Sequence, residues 1–263
     1  MSEQIITKFE NKVLHIILNR PEKKNALTRA MYGRLASALE QADNDPNIRV
    51  MLLYGRGDSF CAGNDIKDFQ DISSPENSYQ QKNQEYEDRT KSYINLLINA
   101  KKPIIAAVHG FAIGVGVTML FHFDLIYGAK NTKFQLPFVN LGLIPEFGST
   151  YLLPKLVGYH RAAEIFFFGE FFTAEEAHQI GLVNKIFPED HLIKEATSLA
   201  EKLAEKPPES IYLTKSFLKR HTTEISEKTA REEIKIFRRR LMSPEAVEAF
   251  SAFYKHRKPD FSK

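Results

Sequence analysis

Short runs of aliphatic and β-branched residues alternate with stretches of helical periodicity through the first half of the chain. The runs are Val13–Leu18, Val50–Tyr54, Ile104–Val108 and Leu125–Tyr127. Between the first two, apolar residues recur at helical spacing behind Thr28, a residue type suited to an N-cap. Strands that alternate with helices require crossover connections, and these favour a mainly parallel sheet. The predicted fold class is therefore α/β.

Helical periodicity dominates the last third of the chain, from Tyr159 to Tyr254, and Pro207-Pro208 interrupts it. A polar segment, Ser73–Arg89, separates the second predicted strand from a helix that ends before Lys102. The pattern predicts a core over residues 1–200 and a helical region over residues 201–263.

Composition excludes several classes of protein. With 263 residues, of which 43% are hydrophobic, the chain can bury a sizeable core. Lysine and arginine number 36 against 33 acidic residues, so bulk charge does not favour nucleic acid as a partner. The single cysteine, Cys61, excludes an intramolecular disulfide and a cysteine metal cage, and no metal site is predicted.

Localisation is predicted to be cytoplasmic. The first residues carry Glu3 and no long apolar run, and no stretch of about 18 apolar residues that could span a membrane occurs. The final Phe-Ser-Lys lacks the leucine of a peroxisomal address.

Two glycine-containing turns, residues 59–65 and 109–116, each follow a predicted strand. Glycine allows backbone amides to approach a ligand closely. The second turn leads into an apolar helix, so the amides near Gly114–Gly116 lie at a helix N-terminus and suit an oxygen that becomes anionic. From these residues alone, tight packing is the alternative interpretation. A dinucleotide site is disfavoured because the full G-x-G-x-x-G spacing is absent.

Further motifs are spread over nearly the whole chain. They are Asn19-Arg20-Pro21, Asn25-Ala26-Leu27, Phe60–Ile66, Lys102–Gly110, Asn140-Leu141-Gly142 with Pro145, and Arg257-Lys258-Pro259 with Phe261. Together they resemble the crotonase superfamily, the enoyl-CoA hydratases and isomerases. The resemblance implies a spiral fold of repeated β-β-α units and a helical C-terminal region for trimerisation. It also implies acyl-CoA thioester substrates, no separate cofactor because coenzyme A is part of the substrate, and a homotrimer or hexamer.

Members of this family hold the thioester oxygen between two backbone amides, one from each glycine turn. Carried onto this chain, the resemblance implies that the donors are Asn64 and Val115. Valine replaces the family's usual glycine at position 115, but a backbone contact does not require glycine. We expect the valine to narrow the oxyanion hole.

Typical hydratases of the family use two glutamates, and the matching positions here are Thr118 and Phe138. Glu146 instead lies where the 3,2-enoyl-CoA isomerase branch, in particular the peroxisomal type, places its one catalytic carboxylate. Moving a double bond from the 3 to the 2 position requires proton removal from C2 and return at C4. One base that reaches both carbons is sufficient.

The neighbours of Glu146 are apolar: Ile144, Pro145 and Phe147. They are predicted to desolvate the carboxylate, raise its pKa and keep water away. Without the resemblance, a solvated glutamate in a turn is the alternative.

The resemblance also implies which residues contact coenzyme A. They are Lys23, Lys24 and Ala26 after the second strand, Ala62, Asp65 and Ile66 in the first glycine turn, and Phe253 and His256 near the end of the chain. The last two match positions that in relatives complete a neighbouring subunit's site, where His256 replaces a usual lysine. For Lys23 and Lys24, simple solvation is the alternative.

The remaining candidates have a structural and a functional interpretation. The aromatic tract Phe166–Phe172 is predicted to be core or subunit interface, with the lining of an acyl-chain tunnel as the alternative. His109 and His122 are predicted to pack or lie on the surface rather than transfer protons. Arg238–Arg240 is predicted to be a solvated helix face, with a phosphate-bearing ligand as the alternative.

The predicted activity is 3,2-enoyl-CoA isomerisation in the β-oxidation of unsaturated fatty acids. Two alternatives stay open. One is an enoyl-CoA hydratase, or an enzyme of another reaction in this family, in which Glu146 works with an acid that the sequence does not identify. The other is a protein that binds acyl-CoA without turnover.

Overall fold

A computed structural model of the chain describes residues 3–66, 90 and 92–262. The polar segment Ser73–Arg89 lies entirely outside these residues. The strands are β1 Ile5–Glu10, β2 Val13–Leu18, β3 Val50–Gly55, β4 Ile104–Val108, β5 Phe111–Ile113, β6 Leu125–Ala129, β7 Lys133–Gln135, β8 Phe171–Thr173 and β9 Lys185–Phe187. The helices are α1 Arg29–Asn44, α2 residues 92–99, α3 Val115–Thr118, α4 Ser149–Val157, α5 Tyr159–Phe168, α6 Ala174–Gln179, α7 Glu189–Ala204, α8 Pro208–Lys219, α9 Thr223–Leu241 and α10 Pro244–Tyr254.

The main sheet has the strand order β1-β2-β3-β4-β6-β9. All pairs from β2 to β9 are parallel, which confirms the predicted parallel sheet, and β1 joins β2 in an antiparallel pair. The sequence analysis missed β1, although Ile5, Ile6 and Thr7 are β-branched, because the apolar run is short and most of its side chains are exposed. It turns into β2 through Asn11 and Lys12, both with positive φ.

The predicted cap of the first helix is confirmed. The Thr28 side chain accepts a hydrogen bond from the Met31 amide, and helix α1 begins at Arg29. This helix follows the loop that carries Lys23 and Lys24, so its cap fixes where that loop ends.

Successive side chains of a strand point to opposite faces of the main sheet, and both faces are covered by other segments. On one face, Val50 and Leu52 pack with helix α7, whose Leu192, Ala196 and Ala200 recur every four residues. The opposite face belongs to a larger core that includes most of the other helices. The strands are thus buried on both sides, which explains their continuous apolar runs.

A second, smaller sheet follows the turns of the main one. Strand β5 pairs in parallel with β7, which pairs antiparallel with β8. Two isolated bridges, Cys61 to Ala112 and Leu27 to Asn64, extend this row of short paired segments to the first glycine turn. A long strand, a short strand and a helix follow one another in β4, β5 and α3, as the resemblance implies for a β-β-α unit.

The C-terminal helices lie against residues 139–150. Helix α9 packs on α4, α10 packs on the 3-10 turn Val139–Leu141, and the Arg240 Nε donates to the Gly142 carbonyl at 3.0 Å. The predicted helix break at Pro207-Pro208 is confirmed, since α7 ends at Ala204 and α8 begins at Pro208. The division after residue 200 stays a prediction; α7 runs through it. Among the described residues, no helix is both long and apolar enough to cross a membrane.

Candidate active site

The second glycine turn directs the Val115 amide out of a helix end. Gly114 has a φ of 55°, its amide donates to the Gln135 carbonyl, and its own carbonyl accepts from Val117 and Thr118 inside α3. The C=O of Gly114 and the N–H of Val115 belong to one trans peptide and point in opposite directions. The Val115 N–H therefore points away from the helix, at its positive end.

The first glycine turn directs the Asn64 amide in the same manner. Leu27 donates to the Gly63 carbonyl at 2.8 Å, so the Asn64 N–H of that peptide faces away from Leu27. That side of the turn is where Cys61 pairs with Ala112, the strand that leads to α3. The Tyr32 hydroxyl, 2.5 Å from the Asn64 Oδ1, holds the Asn64 side chain.

The two turns are in direct contact. A Cβ added at Gly116 would lie 2.5 Å from the Cys61 carbonyl oxygen, so only glycine allows this approach of α3 to the first turn. Within the described residues, neither the Asn64 nor the Val115 amide donates to an acceptor. Two adjacent free N–H donors can stabilise an oxygen on which negative charge develops.

Glu146 lies beside the same short helix. Its side chain is buried, with 5% exposure, and its Oε1 accepts a hydrogen bond from the Thr118 Oγ1 at 3.0 Å. Thr118 follows Val115 by three residues, a rise of about 4.5 Å along a helix. The carboxylate and the Val115 amide are thus placed by one element. The other oxygen of Glu146, Oε2, accepts no hydrogen bond from the described residues.

Burial raises the pKa of Glu146 to about 8, and the negative charge of Glu233 adds to the increase, while the hydrogen bond from Thr118 opposes it. The predicted effect of an apolar environment on this carboxyl group is confirmed. A carboxylate with this pKa is a stronger base than an exposed glutamate and is partly ionised at neutral pH.

The turn after Glu146 has an unusual backbone that its neighbours hold in place. Phe147 has a φ of 62°, which is rare for an aromatic residue. Its carbonyl oxygen lies 2.6 Å from the His122 Nε2, and its ring packs on Tyr93 at a centroid distance of 6.0 Å. Glu233 accepts hydrogen bonds from the next residues of the turn, Gly148 and Thr150.

Both candidate histidines are buried, as the packing interpretation predicts. Burial lowers the pKa of His122 to about 4, so the ring is neutral at pH 7 and donates its Nε2 proton to the Phe147 carbonyl. The His109 Nε2 lies 3.0 Å from the Gly57 carbonyl. His122 thus supports the Glu146 turn through packing and a backbone hydrogen bond.

The structure brings together the predicted coenzyme A contacts of the first half of the chain. The amide of Ala62 donates to the Lys24 carbonyl, and the amide of Ala26 donates to the Lys23 carbonyl. Both lysine side chains are exposed, and the Lys24 Nζ lies 4.5 Å from the centroid of the Phe111 ring. Their loop and the first glycine turn form one continuous surface.

Asp65 and Ile66 close this surface at the end of the first turn. The Asp65 Oδ2 forms an ion pair with the Arg20 Nη2 at 2.7 Å, and the Arg20 Nη1 also donates to the Ala26 carbonyl. Ile66 is half-buried against the core. Arg20 therefore joins two segments that are predicted to bind coenzyme A, a role that the sequence analysis did not predict.

Phe253 and His256 lie at the end of α10 and are exposed, His256 with a φ of 49°. Burial raises the pKa of Tyr254, and the charge of Asp65 in the same chain adds to this increase. The end of α10 therefore lies near the first glycine turn of the same chain. The contribution of Phe253 and His256 to a neighbouring subunit stays a prediction.

The aromatic tract divides into two groups. Phe166 and Phe172 are buried, and Phe172 stacks on Phe134 with ring centroids 5.4 Å apart. Phe167, Phe168 and Phe171 are more than half exposed. The predicted core role is confirmed for the first group.

The solvated interpretation of Arg238–Arg240 is wrong for Arg240. The Arg240 guanidinium pairs with Glu245 and donates to the Gly142 carbonyl, because α9 and α10 meet at this point of the fold.

Tyr32 and Glu233 support the site and were not found from the sequence, and Asn25, which lies in a motif of the resemblance, was not assigned a supporting role. Asn25 is fully buried, and its side chain accepts from the Arg20 amide and donates to the Arg56 and Ser59 carbonyls. For Glu233 a signal existed, since it lies at helical spacing with Ala230, Phe237 and Leu241 on an otherwise apolar stripe. Asn25 carries no comparable signal of helical spacing.

Replacing Thr118 with valine tests the hydrogen bond to Glu146. Valine keeps the shape but removes the donor that lowers the pKa of Glu146, so we expect the pKa to rise further. Fewer molecules then carry the ionised base, and any activity that needs it should fall about tenfold at pH 7. In a plot of rate against pH from 6 to 9, the rising limb, where the rate increases as Glu146 ionises, should be displaced to higher pH for Thr118→Val. Thr118→Ser should resemble the wild type. An unchanged profile in the valine variant contradicts the assigned bond.

Within residues 3–66, 90 and 92–262, no group of three or more His, Cys, Asp or Glu side chains could hold a metal ion.

Comparisons with known proteins agree with this geometry. Residues 8–263 match the protein family described as Enoyl-CoA hydratase/isomerase. The chain is 34% identical over 252 residues to Enoyl-CoA delta isomerase 2 of Rattus norvegicus, an alignment that covers 96% of this chain and 63% of that relative. It is 32% identical over 264 residues to the 2,3-dehydroadipyl-CoA hydratase of Escherichia coli K12, which covers 99% of both.

Solved structures show the fold. The crystal structure of an enoyl-CoA hydratase/isomerase from Pseudoalteromonas atlantica T6c superposes with a TM-score of 0.91 at 36% identity, covering 99% of this chain and 100% of that one. The predicted crotonase fold is confirmed. On the match over residues 8–263 and on this shared fold, the chain belongs to the enoyl-CoA hydratase/isomerase family.

Proposed function

We propose that the protein is a 3,2-enoyl-CoA isomerase that uses Glu146 as its one catalytic base. The observation that carries the proposal is the buried carboxylate of Glu146, which has one free oxygen. Thr118 holds it by a hydrogen bond against the helix whose first amide, that of Val115, points outward. The similarity to the rat delta isomerase supports it. That relative is longer, since the chain spans about 63% of its length.

The reaction follows from this arrangement. The Oε2 of Glu146 removes a proton from C2 of the 3-enoyl thioester, and the electron pair of that C–H bond moves toward the thioester oxygen. The resulting enolate is stabilised by the Asn64 and Val115 amides, each of which contributes roughly 2.7–4 kcal/mol in comparable sites. Glu146 then returns the proton at C4, and the electrons reform the carbonyl with a 2,3 double bond. The thioester is neither hydrated nor oxidised.

Coenzyme A is proposed to lie along the surface formed by the lysine loop and the first glycine turn. The residues are Lys23, Lys24, Ala26, Ala62, Asp65 and Ile66. Exposed lysines can pair with the phosphates, and the backbone of the turn is accessible because of its glycine. Binding there places the thioester next to Asn64.

The geometry favours one-base chemistry over hydration. Thr118, at one hydratase position, donates to Glu146, and Phe138, at the other, is buried against Phe237. Glu233 is the acid whose charge acts on Glu146, and both its oxygens already accept bonds from Gly148 and Thr150. It is not free to activate water.

The direct test is product analysis. Purified protein is incubated with 3-hexenoyl-CoA and with 3-dodecenoyl-CoA in deuterium oxide. The products are separated, and their masses are determined by mass spectrometry. We expect the trans-2-enoyl thioesters, and the relative rates report the preferred chain length. Formation of 3-hydroxyacyl-CoA from a 2-enoyl substrate, at a rate above that of isomerisation, would favour the hydratase alternative.

A homotrimer or hexamer is part of the proposal. Large aromatic side chains such as Phe167, Phe168 and Phe217 are more than 60% exposed in the single chain, an arrangement typical of a subunit interface. Light scattering coupled to size exclusion measures the mass directly. A monomer at micromolar concentration contradicts this part of the proposal.

The rate should depend on pH through Glu146. The base must be ionised, and its pKa is raised to about 8, so kcat/KM should rise about tenfold per pH unit below that value and level off above it. The measurement is a profile from pH 5.5 to 9.5 with saturating and limiting substrate. A profile already flat from pH 6 contradicts a base with a raised pKa.

A further inference from the structure

A second buried carboxylate lies behind the Glu146 turn. Glu233, on α9, has only 5% exposure, although it lies in a helix that is otherwise rich in exposed charges. Burying a carboxylate is unfavourable unless hydrogen bonds or opposite charges compensate it. Among the described residues Glu233 pairs with no lysine or arginine, so its compensation comes from elsewhere.

That compensation comes entirely from the turn that carries Glu146. The Glu233 Oε2 accepts from the Gly148 amide at 2.5 Å, and its Oε1 accepts from the Thr150 amide at 3.0 Å and the Thr150 hydroxyl at 2.6 Å. These donors surround the start of α4, whose N-cap residue, Gly148, has no side chain to satisfy them. Burial raises the pKa of Glu233, and these bonds at the positive end of a helix oppose the increase by stabilising the ionised carboxylate.

The turn needs this support because its backbone is strained. Phe147 and Gly148 both have positive φ, and the Phe147 side chain must fit between Tyr93 and His122. Glu146 directly precedes these residues, so any relaxation of the turn moves the carboxylate away from Thr118.

We propose that Glu233 is a positioning residue that holds the Glu146 carboxylate against Thr118 through its bonds to Gly148 and Thr150. The inference deepens the proposed isomerase function and rests on it. Glu233 does not touch the substrate in this proposal, and its effect passes through the turn and through its charge.

The charge of Glu233 also acts on Glu146. It raises the pKa of Glu146 beyond the effect of burial, whereas Thr118 lowers it. Other titratable groups packed around the turn are His122 and Tyr93, both neutral at pH 7 because burial lowers the pKa of the first and raises that of the second. Lys219 donates to the His122 carbonyl at 3.4 Å, and burial lowers its pKa to about 8.

The test compares three variants, each of which must first be shown to fold like the wild type. Glu233→Gln removes the charge and places an amide donor opposite one of the turn's donors. Glu233→Asp keeps the charge, but its side chain is one methylene shorter, so the carboxylate lies farther from the turn. Glu232→Gln is the matched control, since Glu232 is the exposed neighbour on the same helix and undergoes the same change of charge. The readouts are kcat and KM for 3-dodecenoyl-CoA across pH, and the Glu146 titration followed by NMR of ¹³C-labelled glutamate, assigned with Glu146→Gln.

We expect Glu233→Gln to lower kcat by about 10²-fold at nearly unchanged KM, because a small displacement of a base has an effect of this size. The rising part of its pH profile and the Glu146 titration should move to higher pH, since the displaced carboxylate loses the Thr118 bond, which affects its pKa more than the charge of Glu233 does. Glu233→Asp keeps the charge that raises the pKa, so it should lower kcat with its profile displaced further to higher pH. Glu232→Gln should match the wild type.

Glu233→Gln with a wild-type kcat and an unmoved limb, and only a lower melting temperature, overturns the proposal and leaves Glu233 a folding role. If Glu233→Gln does not fold, Glu233→Asp decides, since a wild-type kcat in that variant has the same meaning. The NMR titration needs no turnover. It therefore tests the contact even if the wild type proves to have no isomerase activity, which would count against the proposed function alone.

Discussion

Replacing Glu146 with glutamine is expected to lower kcat for 3-enoyl-CoA isomerisation by about 10²–10⁴-fold. Glutamine has the size of glutamate, and its amide oxygen can still accept the hydrogen bond from Thr118. The variant should therefore fold and bind substrate as the wild type does. It cannot take a proton from C2, because an amide is not basic at the pH of the assay.

The measurement pairs kinetics with binding. Isomerisation is followed by product analysis, and the affinity for a non-reacting saturated acyl-CoA is measured by calorimetry, with Glu232→Gln as the control for a lost carboxylate. Retained affinity with lost turnover supports Glu146 as the base. Wild-type turnover in Glu146→Gln would show that another group removes the proton. If the wild-type protein binds acyl-CoA but converts neither 3-enoyl nor 2-enoyl thioesters, the non-catalytic alternative is correct.

Replacing Gly116 with alanine is expected to lower kcat by about 10²–10³-fold, the effect of losing one oxyanion donor. The added Cβ would lie 2.5 Å from the Cys61 carbonyl oxygen and 3.0 Å from the Cys61 Cβ. Both neighbours belong to the first glycine turn, so α3 and that turn must separate. The Val115 amide at the start of α3 then moves relative to the Asn64 amide, and the proposed oxyanion hole is lost.

A matched glycine elsewhere separates this effect from a general loss of stability. Gly128→Ala places its methyl 3.3 Å from the Val183 side chain, which can adjust, and should leave kcat close to that of the wild type. Circular dichroism and melting temperatures establish that both variants are folded. Gly116→Ala should lower kcat far more than it weakens binding of coenzyme A, whose proposed contacts lie on other residues. A folded Gly116→Ala protein with wild-type kcat contradicts the assigned oxyanion hole.

The features predicted correctly from the sequence are those that depend on neighbours in the chain. The Thr28 cap and α1 follow from local hydrogen bonding and helical periodicity. The runs at β2, β3, β4 and β6 are largely apolar because both faces of the sheet are covered, so they were identified even without alternation. Strand β1 lies at the sheet edge with mostly exposed side chains and lacks the long apolar run by which the other strands were identified.

The same division applies to the site. Glu146 and the two glycine turns could be located from the sequence, since a carboxylate in an apolar segment and glycines after strands are local patterns. The direction of the Asn64 and Val115 amides could not, because it depends on which carbonyl of each peptide is already bonded to another segment.

By itself, the sequence determined the α/β alternation, the resemblance to the crotonase superfamily and the position of an unusual glutamate among apolar residues. Tertiary structure alone decided that Thr118 contacts this glutamate and that Glu233, 85 residues beyond Gly148, supports its turn. The physical reason is that burial, charge coupling and long-range hydrogen bonds arise only when distant segments pack together. No pattern of neighbouring residues encodes which of the many glutamates will meet the turn.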